Sequence, residues 1–154
     1  MVTPPKIGKP WLSAGLIRWL EKHLRQPMHV FEYGSGYSTP FLERLATSLV
    51  SVEHDIRWYK KIKPLLTSTE YKLLHPEEYP EHILEHKRHF DIILIDGIYR
   101  QRCMEAALKK VKKGGYIILD DSDKSKYAPI KKMMEGHEAS VFKGEKESIV
   151  WKIV

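Results

Sequence analysis

A chain of 154 residues with 42% hydrophobic residues is long enough for one domain with a buried core. A single cysteine, Cys103, excludes an internal disulfide framework, and no apolar run approaches the roughly 20 residues of a membrane-spanning helix. The net charge of +6 admits a nucleic-acid partner, but the basic clusters carry no nucleic-acid-reading motif, which favours solvated helix faces. The first residues lack the apolar core of a signal peptide, so we expect a cytoplasmic protein without membrane contact.

Hydrophobic periodicity divides the chain into an N-terminal arm, residues 1–10, and one α/β domain, residues 11–154. Apolar positions at helical spacing alternate with short apolar runs, which is typical of a parallel sheet flanked by helices. Helices are predicted over residues 11–25, 40–48, 57–66, 102–112 and 129–135, with a helical piece over 81–89. Gly114-Gly115 is predicted to end the helix over 102–112. Strands are predicted over residues 28–33, 49–53, 71–75, 90–95, 116–119, 139–143 and 148–154, the last two forming a hairpin.

A glycine turn follows the first predicted strand. Gly34 and Gly36 permit positive φ and a close backbone approach, because neither has a Cβ atom. Thr39 is placed to cap the next helix, and Pro40 suits its first turn. The free N–H groups at that helix end would then face a ligand above the strand, which predicts a ligand-binding βα unit.

The residues around this turn argue against a dinucleotide. The G-x-G-x-x-G fingerprint requires glycine at position 39, where this chain has Thr39, so NAD and FAD are disfavoured. Glu32, two positions before the first glycine, places a carboxylate where a diphosphate would be repelled. This suits a cationic ligand such as S-adenosylmethionine, although a glycine turn without any ligand is an open alternative.

A second acidic residue, Glu53, ends the second predicted strand 19 positions after Gly34. In Rossmann-like sheets an acid about 20 residues beyond the glycine turn hydrogen-bonds the ribose hydroxyls. The alternative is that Glu53 caps the following helix, for which Asp55 is the better candidate. The combination of turn, strand and terminal acid indicates a nucleoside site.

Four motifs together resemble the class I S-adenosylmethionine-dependent methyltransferases: E-Y-G-S-G-Y-S-T (32–39), S-V-E-H-D (51–55), I-L-I-D-G (93–97) and G-G-Y-I-I-L-D-D (114–121). The resemblance covers residues 11–154. It implies a single-domain Rossmann-like three-layer sandwich with a mostly parallel sheet of seven strands in the order 3-2-1-4-5-7-6, in which the C-terminal strand is antiparallel. It also implies S-adenosylmethionine as cofactor. It implies an adenine contact from Glu77 or Glu78. The implied cofactor contacts are Glu32, Tyr33, Gly34, Ser35, Gly36, Ser38, Thr39, Glu53, His54 and Asp96.

The last two motifs are similar to a branch with metal-dependent O-methyltransferases. In that branch the acid after strand four and two groups after strand five hold a divalent cation, which maps here to Asp96, Asp120 and Asp121. Three carboxylates at one rim repel one another unless a cation bridges them, and oxygen ligands favour Mg²⁺, Ca²⁺ or Mn²⁺. The alternative is that Asp120 and Asp121 cap the next helix.

Catalytic roles follow from the same resemblance, with one departure. The branch has a lysine base three residues after the acid of strand four, and this chain has Tyr99 there. Asp96 is expected near the reacting atoms, and either Tyr99 or Lys124 is expected to replace the missing lysine.

His82 and His86 are one helical turn apart, as metal ligands can be, but a solvated helix is the favoured interpretation.

The resulting hypothesis is a methyltransferase that acts on oxygen of an unidentified small or macromolecular acceptor, with possible metal assistance. The Asn/Asp-Pro-Pro-aromatic motif of amino-directed nucleic-acid enzymes is missing from the sequence. The short chain leaves little material for an acceptor pocket, so a large acceptor, a partner or a second subunit of a homodimer would complete it. The alternatives are a catalytically silent nucleoside-binding scaffold and, without a supporting motif, an aminopropyl transferase.

Overall fold

The computed structural model describes residues 9–154, so most of the predicted arm lies outside the described residues. The seven strands are β1 (His29–Tyr33), β2 (Ser48–Glu53), β3 (Glu70–Leu73), β4 (Phe90–Ile95), β5 (Val111–Asp120), β6 (Glu138–Phe142) and β7 (Ser148–Lys152). They form one sheet in the order β3-β2-β1-β4-β5-β7-β6. The first five strands are parallel, and β7 runs antiparallel to both β5 and β6, as the sequence predicted.

Five α-helices accompany the sheet: α1 (Ala14–His23), α2 (Ser38–Leu45), α3 (Ile56–Ile62), α4 (Arg100–Leu108) and α5 (Ala128–Met133). Single 3₁₀ turns or short 3₁₀ segments lie at Lys63–Leu65, Pro80–Glu85 and Ser125–Tyr127. Helix α1 begins three residues later than predicted because the Ser13 hydroxyl caps it, accepting a hydrogen bond from Leu16 N. Trp11 therefore precedes the helix. Among residues 9–154 no helix is long and apolar enough to cross a membrane.

Apolar side chains cover both faces of the sheet. Alternate residues of the central strands point to opposite faces, so Val30 and Ile92 pack under α1 and α2, whereas Phe31 and Ile93 pack under α4 and α5. This arrangement confirms the predicted three-layer sandwich.

The glycine pair at 114–115 has a different role from the one predicted. Helix α4 ends at Leu108 rather than at residue 112, and both glycines lie inside β5. The register to β4 shifts between Phe90 and Ile92, and Gly114 has φ +80° at this irregularity. A Cβ on Gly115 would lie 2.8 Å from Asp91 O, so the strand bends where only glycine fits.

Candidate functional site

A cavity of about 320 Å³ lies at the carboxyl ends of β1 and β4. These adjacent strands are where the strand order reverses, the place where open α/β sheets bind ligands. Its walls combine aromatic rings, small polar residues and charged groups. The lining residues are Trp11, Ser35, Gly36, Tyr37, Ser38, Trp58, Asp96, Asp121, Glu145 and Lys146.

The two glycines of the first turn serve different purposes. Gly34 has φ +90°, and a Cβ there would collide with the backbone of Asp96, so the turns after β1 and β4 touch at this point. Gly36 was expected to share this conformation, but its φ lies outside the left-handed region and a Cβ would meet nothing within 4 Å. Gly36 instead leaves open space at the cavity wall.

Glu32 is fully buried beneath the turn and does not line the cavity. Three hydroxyls donate to its carboxylate: Ser38 at 2.5 Å, Thr39 at 2.6 Å and Ser51 at 2.8 Å. Burial raises the pKa of Glu32 to about 7, against the lowering effect of these hydrogen bonds. Thr39 is not the predicted helix cap, because α2 begins at Ser38 and the Thr39 hydroxyl is used by Glu32 and by Gly36 N. In this conformation Glu32 fixes the turn from below.

Glu53 ends β2 and is also buried, but its partners are mostly backbone amides. It accepts hydrogen bonds from Ser35 N at 2.9 Å and Ser35 Oγ at 2.7 Å, and from His54 N and Asp55 N at 3.0 Å each. Asp55, not Glu53, caps α3 by accepting from Arg57 N and Trp58 N. Glu53 therefore ties the glycine turn to the end of β2, one residue away from the cavity wall.

The other side of the cavity is built around Asp96 and Asp120, at the ends of β4 and β5. Arg100 Nη2 donates to Asp96 Oδ1 at 3.2 Å, and Lys146 Nζ donates to Asp120 Oδ2 at 2.6 Å. Ser148 Oγ donates to the second oxygen of Asp120 at 2.8 Å. Burial and the neighbouring Asp120 raise the pKa of Asp96 well above its usual value, with Lys146 and Arg100 acting in the opposite direction.

The predicted metal ligands do not fit a divalent cation in this arrangement. Asp120 is fully buried, with Lys146 on one oxygen and Ser148 on the other, and Asp121 pairs with Lys124 at 3.0 Å. Across residues 9–154, the group of three potential ligands that lies within 4.8 Å is Glu70, His82 and His86, on a different part of the sheet. The acids at the ends of β4 and β5 are thus neutralised by side-chain cations.

No family model and no curated protein matches this sequence. Solved structures match the fold over the whole chain. An rRNA methylase from Streptococcus thermophilus has a TM-score of 0.72 and 14% identity, covering 100% of this chain and 99% of that chain. A candidate methyltransferase from Streptococcus mutans, in complex with S-adenosylhomocysteine (SAH), has a TM-score of 0.70 and 12% identity, covering 100% of both chains.

A third structure is precorrin-6y C5,15-methyltransferase from Geobacter metallireducens, with a TM-score of 0.72 and 14% identity, covering 98% of this chain and 93% of that chain. This chain has the class I methyltransferase fold. The cavity described above lies at the carboxyl ends of the central strands, where open α/β sheets bind ligands.

Within this methyltransferase fold, the predicted cofactor residues are only partly brought together. Ser35, Gly36, Ser38 and Asp96 line the cavity, and Glu53 adjoins it through Ser35. The other predicted residues do not line the cavity. Gly34 belongs to the glycine turn, and Glu32 and Thr39 lie beneath it. Tyr33 is buried and donates to Pro80 O, and His54 Nδ1 lies 3.4 Å from Glu53 Oε2.

Two of the predicted catalytic residues are not at the cavity. Tyr99 precedes α4 with φ 49° and lines a separate depression with Lys126 and Tyr127. Lys124 pairs with Asp121 and is half exposed, and it does not line the cavity either.

Lys146 lines the cavity, unlike Tyr99 and Lys124, and no sequence motif pointed to it. Its ammonium group contacts Asp120 and donates to Trp11 O at 3.1 Å. Topology could have located it, because β7 runs antiparallel to β5 and pairs Ser148 with Asp120. The residues just before β7 must therefore lie at the carboxyl end of β5.

Proposed function

We propose that this chain is an S-adenosylmethionine-dependent methyltransferase that transfers methyl to an oxygen atom. The observation that carries the proposal is the cavity at the strand-order reversal, bounded by a glycine turn on one side and paired acids on the other. The match to a structure crystallised with SAH supports it.

The residues present suit this cofactor. Ser35 lines the cavity and would contact the ribose hydroxyls while Glu53 holds it in place, and the open space over Gly36 would admit the ligand close to the backbone. On the side of the glycine turn, Glu32 and Glu53 have no Lys or Arg partner within the described part of the chain, which would suit the positively charged sulfonium and ammonium groups of the cofactor. When bound, the cofactor would supply an electrophilic methyl group: the acceptor oxygen would form a bond to this carbon as the carbon–sulfur bond breaks, and neutral S-adenosylhomocysteine would leave.

This chain's own residues would orient the acceptor and handle its proton. Burial and the neighbouring Asp120 raise the pKa of Asp96, which makes its carboxylate a stronger base towards an acceptor hydroxyl than an ordinary aspartate. The Lys146 ammonium, on the same cavity wall, would stabilise the oxygen anion that forms. Positioning of this kind supplies much of the rate of a methyl transfer.

The acceptor would approach through a neighbouring cavity. A second space of about 530 Å³ lies between residues 11–18 and 141–146, and it shares Trp11, Glu145 and Lys146 with the first cavity. Lys146, which lines both cavities, would then lie between the cofactor and the acceptor. The matched structures include an rRNA methylase and a precorrin methyltransferase, so the fold is compatible with very different acceptors. A macromolecular acceptor, a homodimer and a cytoplasmic location remain predictions from the sequence.

Isothermal titration with S-adenosylmethionine tests the binding step. Glu53→Gln should weaken binding about tenfold or more, because the neutral amide accepts hydrogen bonds less strongly than the carboxylate. Glu105→Gln, on the exposed face of α4, is the matched control and should bind like the unaltered chain. Binding of NAD in place of S-adenosylmethionine, or equal affinity for both variants, would contradict the proposal.

Transfer of a radiolabelled methyl group to lysate fractions tests catalysis. Treatment with EDTA followed by Mg²⁺ should not change the activity, because Lys146 and Arg100 neutralise the acids. Restoration of activity by Mg²⁺ would instead support the metal-dependent branch. Tight cofactor binding without transfer to any fraction would favour the nucleoside-binding scaffold.

A further inference from the structure

A group of metal-ligating side chains lies away from the proposed cofactor site. Glu70 is the first residue of β3, His82 lies in the 3₁₀ segment Pro80–Glu85, and His86 follows that segment. One potential ligand atom from each of the three residues lies within 4.8 Å of the other two. None of them lines the cavity at β1 and β4.

Both imidazoles show the same hydrogen-bonding pattern. His82 Nδ1 lies 2.9 Å from Glu85 Oε2, and His86 Nε2 lies 2.8 Å from Glu70 Oε2. The other ring nitrogen of each histidine, His82 Nε2 and His86 Nδ1, is buried and has no hydrogen-bond partner among residues 9–154. A buried polar atom without a partner is destabilising, so its presence on both histidines of this group points to a ligand.

The burial of His82 makes this pattern informative. Its side chain is only 9% exposed, whereas the sequence favoured a solvated helix for both histidines. That interpretation is wrong, because the segment is a short 3₁₀ helix that turns His82 inward and His86 against the rings of Phe31 and Phe90. For His82, a carboxylate that accepts the N–H of Nδ1 leaves a lone pair on Nε2, which is the protonation state that metals bind. For His86, Nε2 faces Glu70 directly, so this nitrogen must be unprotonated when both residues bind the same ion.

We propose that Glu70, His82 and His86 bind a Zn²⁺ ion or a similar transition-metal ion. Two imidazoles and one carboxylate form a known ligand combination for zinc, with water in the fourth position. Tetrahedral ligands at 2.0 to 2.1 Å from zinc lie roughly 3.3 Å apart, so the present spacing needs only a small contraction. The exposed Glu85 would orient His82 as an outer carboxylate.

The ion would connect the edge of the sheet to the segment before β4. Glu70 belongs to β3, which pairs only with β2 and is largely exposed. Its partners His82 and His86 lie beyond the Pro-containing loop 74–80. The metal therefore stabilises the edge strand, independently of whether the chain transfers methyl groups.

Titration of untagged, metal-free protein with Zn²⁺ tests the proposal, with Co²⁺ as a spectroscopic probe. We expect one Zn²⁺ per chain, a visible Co²⁺ absorption band of a tetrahedral site, and a higher midpoint of thermal unfolding with Zn²⁺. Glu70→Gln, at a half-exposed position that should tolerate the change, is expected to weaken Zn²⁺ binding tenfold or more.

His82→Asn and the control His89→Asn complete the series. His89 is exposed and outside the group, so its loss should leave the stoichiometry and the thermal shift unchanged, whereas His82→Asn should abolish both. If His82→Asn does not fold, Glu70→Gln decides the question. Failure to bind one Zn²⁺ per chain, or equal loss in the His89 variant, would overturn the proposal without affecting the proposed methyl transfer.

Discussion

Two halves of the same sheet rim keep buried acids in different ways. In the dipole half, at the ends of β1 and β2, Glu32 and Glu53 accept hydrogen bonds from hydroxyls and backbone amides alone. In the cation half, at the ends of β4 and β5, Asp96 and Asp120 are paired with Arg100 and Lys146.

The difference has a consequence for each half. Neutral donors fix a carboxylate without adding a compensating cation, so the dipole half suits a cationic cofactor. Ion pairs cancel the charge and place a cation next to the cavity, so the cation half suits a developing oxygen anion. The two halves meet where Gly34 touches the backbone of Asp96.

The largest expected effect is in the cation half. Lys146→Met removes the cation from the fully buried Asp120 and should lower the free energy of unfolding by about 3 to 5 kcal/mol. Chemical denaturation measures this loss. The double variant with Asp120→Asn should recover a substantial part of it, because the unpaired charge is then gone. If Lys146→Met is as stable as the unaltered chain, the ion pair does not hold this half together.

In the dipole half, the buried Glu32 should make the stability of the folded chain depend on pH. The pKa of Glu32 is raised from 4.5 to about 7, so the folded chain binds its proton more tightly than the unfolded chain. Its contribution to stability is therefore complete below pH 4.5 and is lost as the pH rises towards 7, by about 3 kcal/mol. Denaturation across this range, compared with Glu32→Gln, isolates the effect. A difference between the two proteins that does not change with pH would contradict it.

The junction of the halves should respond to a single methyl group. Gly34→Ala combines a φ of +90° with a collision against Asp96, which should cost about 2 kcal/mol or more. Gly36→Ala is the matched control, since its Cβ meets nothing, and should change stability by less than about 0.5 kcal/mol. It should nevertheless weaken cofactor binding, because the added methyl enters the cavity. Equal stability losses for the two variants would mean that the turns do not meet as described.

The sequence was sufficient for the fold because its main signals are non-local and redundant. The continuous apolar run of β4, the glycine turn and the terminal acids Glu53, Asp96 and Asp120 all predict the same sheet. Local ends were predicted less well. Gly114 and Gly115 resemble a helix stop, and only the register between β4 and β5 shows that they serve a bulge.

The site was predicted only in part, because motifs do not show which distant residues come into contact. Motif position identified Ser35, Gly36 and Ser38, but it could not show that Glu32 would be enclosed by hydroxyls from α2 and β2. Lys146 lies 26 positions after Asp120 and belongs to no motif, so only the antiparallel pairing of β5 and β7 brings the two together.

Lys146 comes from the turn between β6 and β7, so the proposed choice of acceptor and the proposed binding of the nucleoside depend on different parts of the chain. The residues that would grip a nucleoside come from the first third of the sequence, whereas this ammonium comes from a loop of five residues, 143–147, near its end. Replacing Lys143 and Gly144, which line the second cavity but not the first, should alter which acceptors are tolerated while leaving the grip on the nucleoside unchanged. The hairpin is therefore the natural place to redirect the chemistry of this scaffold.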